Sequence, residues 1–520
     1  MSMIPANLIA GRWVPIPGES LRSMNPAHPD RCVYACGPVA GHVDDAVAAA
    51  RAAVGPWAAL PAERRHAVLR GFAAIVRQRA EALADLLCDE VGKVRWECRG
   101  EVASVVNKVE ITLDAAPEGG MRRVTPATIA LSATRSGRTI FKPHGVMAVV
   151  GPFNFPAHLP NGHIVPALAM GNTVVFKPSD KATAVGQMLT EAFDDALRQE
   201  LGSAYIPGVV NLVQGAADVA SRLVGHDGID AVAVTGSWQV GRRILQANLD
   251  RPGRIIALEL GGNNPAVVMD DADLRTAAIE LVRCAFNTTG QRCTCTRRLI
   301  VHEKVATRLV SAVCKAASNL IIGDPRANHP VFTGPIISES ARAAVLDFQT
   351  RAADAGGEVL MPCREMDSPG KGWFITPGVM RVDRFEPTEP SGAASMHPGA
   401  DVEVFGPLLR FTTVGSLEEA IAQANATRYG LAASIFTANP NHAERFIAEC
   451  RAGCLNVNTG TAGASSKLPF GGLGLSGNHR PAGSFALDYC AYPVASMVES
   501  SAAAGATIPE GMRFDDAWAG

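Results

Sequence analysis

The chain has 520 residues, 47% hydrophobic and 19% charged, with 48 Lys and Arg against 50 Asp and Glu for a formal charge of −2. At roughly 150 residues per domain this length predicts about three domains, each able to bury a core, and the even composition excludes collagen, coiled coil and wholesale disorder. Basic residues are scattered rather than bunched, which speaks against a nucleic-acid partner.

The opening MSMIPANLIAGRWVP has no basic leader and no apolar block ending in small residues, so it reads as mature sequence rather than a signal peptide. The 12 cysteines are then expected as reduced thiols in a cytoplasm. No CxxC pair occurs, and Cys32/Cys36 and Cys450/Cys454 lack a histidine partner at a zinc-finger spacing, so no metal site is expected. After a short β start, Val68, Leu69, Phe72, Ile75, Val76, Leu83, Leu86 and Leu87 mark one face of a helix over 62–91, with Pro61 near its start and Gly92 past its end. A second helix is expected from about Trp96 to Ala115.

Between Lys142 and Lys177 there is no charged residue, but five prolines break the stretch, so a single membrane-spanning helix is excluded. The runs 146–150, 173–176, 209–213, 231–235 and 255–260 are short and β-branched, with helical patterns between most of them. This alternation predicts an α/β fold with a parallel sheet and chemistry at the strand C-termini. A second alternating block runs from about Arg297 to Asn456, with strands at 297–301, 407–414 and 431–436. An exposed loop is expected between Phe385 and Ala400, and an irregular tail at 501–520.

The GxGxxG at Gly472–Gly477 runs into Asn-His-Arg-Pro, which does not open a helix, so it reads as a glycine-rich loop. A better phosphate turn is AVTGSWQVG, where a strand ends at Thr235 and Gly236-Ser237 lead into a helical start; an ordinary tight turn would look the same. Lys177 and Asp180 close the preceding strand and suit a ribose, the acid disfavouring a 2′-phosphate, or else Ser179 or Asp180 caps a helix. Glu259 ends a buried strand beside two glycines, where an isolated carboxylate with a raised pKa serves as a general base. Cys293 follows a glycine turn and Arg292, a setting that favours a thiolate nucleophile, against the reading of an inert packing cysteine. Cys295 is a bystander or a redox partner.

The strings PFNFP (152–156), FKPSD (176–180), TGSWQVG (235–241), LELGGNNP (258–265), GQRCTC (290–295), EVFGPLL (403–409) and PFGGLG (469–474), in this order, resemble the aldehyde dehydrogenase superfamily from about Gly11 to Met497. The resemblance implies Cys293 as nucleophile, Glu259 as general base and Asn154 as oxyanion donor. It places Gly236, Ser237, Trp238, Gln239, Val240 and Gly241 at a pyrophosphate, Lys177 and Asp180 at the adenosine ribose, and Glu403 and Phe405 at the nicotinamide of NAD. Many relatives have Glu where this chain has Asp180. The implied architecture is a Rossmann-like cofactor domain (1–121 and 143–260), a second α/β catalytic domain (261–455) and a small β oligomerisation arm (122–142 and 485–500). A homodimer or dimer of dimers follows from the unpaired edges of such an arm.

The strings HLPNGHIVPAL (158–168), GQRCTC, GNHRP (477–481) and DYCAYPVASM (488–497) resemble a branch of that family whose aldehyde substrate carries two carboxylates. Cations are then expected at the tunnel mouth, with Arg292, Arg480, His158 and Lys108 as candidates by position. Two alternatives stay open: a CoA-acylating enzyme of the same fold, and a nucleotide-binding protein without catalysis.

Overall fold

The β-branched runs become strands because most are buried on both faces, where branched side chains pack well against a pleated surface. In the computed structural model, which describes residues 3–368, 370–388, 397–500 and 507–520, strands Ile255–Glu259, Ala231–Thr235, Val146–Val150, Thr173–Lys177 and Val210–Leu212 lie side by side in parallel. The hairpin Ala6–Ile9/Arg12–Pro15 extends this sheet to seven strands. Chain order runs outward to both sides from Val146–Val150, so the sheet reverses between that strand and Ala231–Thr235. Ligands of open parallel sheets bind in the crevice beyond such a reversal.

A second seven-stranded sheet is built from Asn264–Val268, Thr296–His302, Leu408–Val414, Gly378–Arg381, Ala432–Phe436 and Cys454–Val457 in parallel, with Glu358–Met361 antiparallel at one edge. Segments Ala127–Ala130, Arg135–Pro143 and Ala491–Glu499 form a separate three-stranded antiparallel sheet. Ile129, Leu131, Tyr492 and Met497 stand exposed on and beside it.

The helix expected over 62–91 is two helices, Ala62–Gln78 and Ala80–Val91, separated at Arg79 (φ −95°, ψ 13°). The apolar spacing continues across the break because the two pieces bury the same side of the chain against different partners, which periodicity does not register. The first packs on Thr183–Leu201, with Phe72 stacked on Phe193 at 3.7 Å between ring centres. The second packs on Arg95–Leu113 and ends at Gly92, whose φ of 69° favours glycine. The loop expected to be exposed between Phe385 and Ala400 has both ends buried and bridged through Glu386 and Ala400. Its middle, 389–396, and the start of the expected tail, 501–506, lie outside the described residues. Residues 507–520 are exposed and mostly irregular. No helix among the described residues is long and apolar enough to cross a membrane.

Candidate active site

The reversal of the first sheet opens onto a cavity of about 650 Å³. One wall is the start of helix Trp238–Ala247, capped by Ser237 Oγ, which accepts from Val240 N–H at 3.4 Å. Free N–H groups of a first helical turn favour an anion. Gly236, Ser237, Gln239 and Val240 line the cavity. The other two residues of that string do not: Gly241 passes so close to Leu260 that a Cβ would stand 2.8 Å from its Cδ1, and Trp238 packs on the apolar cluster beneath.

Lys177 and Asp180 line the same cavity. Burial pushes the Lys177 ammonium down to about 8, opposed by Asp180 and Asp218. The helix that follows begins at Thr183, so neither Ser179 nor Asp180 caps it. Its first N–H groups are taken by buried Glu90, at 2.9 Å from Ala184 and 2.8 Å from Val185, which leaves Asp180 at the cavity rim. At the opposite end, Glu403 Oε1 accepts from Gly262 N–H at 2.9 Å and lies 3.6 Å from Arg297. A Cβ on Gly261 would fall 1.8 Å from Glu403 Oε2, so glycine there is what admits the carboxylate. Phe405 is held edge-on by Phe153 at 5.9 Å. A helix N-terminus, a lysine–acid pair and an acid–aromatic pair along one cleft suit the pyrophosphate, ribose and nicotinamide of a dinucleotide.

A second cavity, about 160 Å³, contains Glu259, His158, His163, Lys108, Arg292, Thr294, Ser465 and Ser466. Cys293 and Thr235 line both cavities, whereas Glu403 lines only the first and Glu259 only the second. The sulfur therefore stands where the two spaces meet.

The loop that presents Cys293 is strained. Thr288 and Thr289 have φ of 52° and 55°, a left-handed conformation that β-branched residues avoid. It persists because Glu97 accepts from Thr288 N–H (3.2 Å) and Oγ1 (2.8 Å), while Thr333 Oγ1 accepts from Thr289 N–H (2.9 Å). Asn154 Nδ2 donates to Gln291 O at 2.9 Å, placing this amide against the same loop.

Burial pushes the Cys293 thiol up to about 12, and the charges of Glu403 and Glu259 add to it. The expectation of a thiolate favoured by Arg292 is thus corrected for the unliganded protein. Arg292 Nη2 is held by Glu97 at 2.6 Å and its Nε by Thr288 Oγ1 at 2.9 Å, so these two donors anchor the loop and do not point at the sulfur. Burial raises the Glu259 carboxyl well above the usual range, against one hydrogen bond from Ala482 N–H at 3.3 Å. Glu259 Oε2 has no hydrogen-bond partner among the described residues.

Of the four expected substrate cations, three line the second cavity and Arg480 does not; its guanidinium is exposed and donates to His479 O at 3.3 Å. Burial holds His158 down to about 4, which makes it neutral near pH 7. Lys108 is pushed down to about 8 and donates to Gly483 O at 2.6 Å. Cys295 is buried and lines neither cavity, in keeping with a bystander. The GxGxxG string opens no α-helix; it holds one short 3-10 turn at Gly474–Ser476, and Gly477 bridges Glu259. Glu97, Arg297, Thr235 and the Ser465–Ser466 loop escape the sequence reading, although Thr235 stands at the strand end that the phosphate turn marks.

A family model described as the aldehyde dehydrogenase family matches residues 13–493. A protein of Sphingopyxis alaskensis named N-succinylglutamate 5-semialdehyde dehydrogenase is 45% identical over 91% of this chain and 94% of its own. One of Caulobacter vibrioides, N-succinylglutamate 5-semialdehyde dehydrogenase 2, is 42% identical over 95% of this chain and 96% of its own. Among solved structures, a 1-pyrroline-5-carboxylate dehydrogenase from Thermus with bound NAD superposes with a TM-score of 0.85 at 29% identity, covering 95% of this chain and 93% of that one. An NADP-dependent glyceraldehyde-3-phosphate dehydrogenase from Bacillus halodurans complexed with NADP gives 0.84 at 28% identity, with 96% and 100% covered.

Proposed function

The chain belongs to the aldehyde dehydrogenase family, and we propose that it oxidises N-succinyl-L-glutamate 5-semialdehyde to N-succinyl-L-glutamate with NAD, a step of arginine catabolism. It is an NAD(P)-dependent aldehyde dehydrogenase. The observation that carries the finer reading is the position of Cys293 at the junction of the two cavities, with Glu259 facing the smaller one.

In this reading Cys293 Sγ attacks the aldehyde carbon and forms a thiohemiacetal. Asn154 Nδ2 donates one hydrogen to Gln291 O, which leaves its second for the oxyanion. Lys177, Asp180, Ser237, Glu403 and Phe405 would hold NAD, and when bound its oxidised ring supplies a positive charge that favours the thiolate and accepts the hydride. The thioester left on Cys293 is then hydrolysed: Glu259 takes a proton from water, the hydroxyl adds to the acyl carbon, and the thiol leaves as the acid departs. Burial raises the pKa of this carboxyl above the usual range, which makes it a stronger base than an exposed glutamate. The same retained base argues against a CoA-acylating or inactive protein.

Arg292 anchors to Glu97 through Nη2 and to Thr288 through Nε, and its Nη1 donors have no partner among the described residues. We assign them, with Ser465 and Ser466, to a substrate carboxylate. Relatives whose name carries this substrate support the choice. The test is NADH formation with the succinylated semialdehyde beside hexanal; the reading expects a large preference for the former, and a preference for hexanal contradicts it. We further propose a dimer or dimer of dimers joined through the three-stranded sheet, in a cytoplasm that keeps the cysteines reduced. Sedimentation as a 54.5 kDa monomer would count against the assembly.

A further inference from the structure

Tyr489 Oη lies 2.7 Å from His163 Nδ1, and His163 Nε2 lies 3.4 Å from Thr235 Oγ1. All three residues are buried, and the chain they form ends at the wall of both cavities. Thr235 is also the register partner of Glu259 in the adjoining parallel strand. Register partners leave a sheet on the same face. The Thr235 hydroxyl and the Glu259 carboxyl thus enter one small space, where Glu259 Oε2 has no hydrogen-bond partner among the described residues.

The direction of the chain follows from proton inventory. Burial, with Lys108 and His158 facing it, keeps His163 neutral, so the ring carries a single N–H. Tyr489 is buried and retains its hydrogen. A retained phenolic hydrogen donated to Nδ1 places the ring hydrogen on Nε2, which then donates to Thr235 Oγ1. The threonine's own hydrogen is left to point away from the imidazole, into the cavity.

We propose that Tyr489 and His163 are positioning residues that fix Thr235 as a one-way hydrogen-bond donor to the ionised Glu259 carboxylate during thioester hydrolysis. The proposal rests on the reading of Glu259 as the base. An apolar surround favours the neutral form of that acid, and a donor to its charged form lowers the pKa again. The other groups facing Glu259 are the Cys293 and Cys454 thiols, the Tyr489 phenol and the Ala482 N–H. Lys108 and Arg292 line the same cavity, but Lys108 donates to Gly483 O and Arg292 to Glu97, and neither is hydrogen-bonded to Glu259.

The test measures hydrolysis of 4-nitrophenyl acetate, which acylates a reactive thiol and reports its deacylation, against pH. Tyr489→Phe and Thr235→Val should each move the acid limb up by about one pH unit, lowering turnover on that limb by about tenfold while the high-pH plateau is kept. Thr235→Ser, which keeps the hydroxyl, should retain the original limb, and the Tyr489→Phe/Thr235→Val double variant should move no further than Thr235→Val. A limb unmoved in Tyr489→Phe, or shifts that add in the double variant, overturns the chain. Turnover kept in Glu259→Gln overturns the base assignment, and the chain with it.

Discussion

Arg292 Nη2 rests 2.6 Å from Glu97 Oε1, so the cation next in sequence to Cys293 is tied to the helix Arg95–Leu113 and not to the sulfur. The same carboxylate holds Thr288 in its left-handed conformation. One buried acid on a remote helix therefore sets the path of the loop that presents the thiol.

Removing it should be costly. Glu97→Ala leaves a mostly buried guanidinium without its counter-charge and frees the strained threonine, and we expect a loss of about 3 kcal/mol in stability. Because the loop also sets the sulfur's position, kcat/KM should fall by at least about tenfold. Glu97→Gln, which still accepts from Thr288, should do less on both counts. Thermal unfolding and NADH formation measure the two effects.

The protein without cofactor should be a poor thiol nucleophile. With Cys293 pushed up to about 12, its alkylation by iodoacetamide should keep rising with pH and reach no plateau near neutrality. The thiolate gained per pH unit is tenfold in this range. NAD should accelerate alkylation at pH 7.5, since its cationic ring opposes the two carboxylates. A plateau near pH 7 in the free protein would contradict the electrostatic account.

Asp180 stands at the cavity rim, free of the helix that follows it, and should repel a 2′-phosphate. Asp180→Ala should raise kcat/KM for NADP relative to NAD by about tenfold or more. Lys177→Met should weaken both cofactors together. Initial rates with each cofactor decide this, and an unchanged ratio in Asp180→Ala places the discrimination elsewhere.

Much of this was legible in the sequence because its signals are local. Apolar β-branched runs such as Val146–Val150 and Ala231–Thr235 can be satisfied only as buried strands, and Ser237 stands at the cap position of the helix it announces. Cys293 and Glu259 could be named from their strings. Their shared cavity could not, since it depends on how two sheets meet. The anchoring of Arg292 was missed for a similar reason: its partner Glu97 is 195 residues away, and no spacing rule links them. Arg480 looked like a cavity cation by position alone, yet it is exposed and lines neither cavity. The break at Arg79 left no trace because the apolar period runs through it.

The most direct measurement is mass spectrometry of Glu259→Gln after a single turnover with NAD and the succinylated semialdehyde. With Cys293 free to attack and the water-activating acid gone, the account predicts one NADH released per chain and one acyl group retained, located on Cys293. Continuous turnover with no adduct at Cys293, or an adduct on another cysteine, would contradict it.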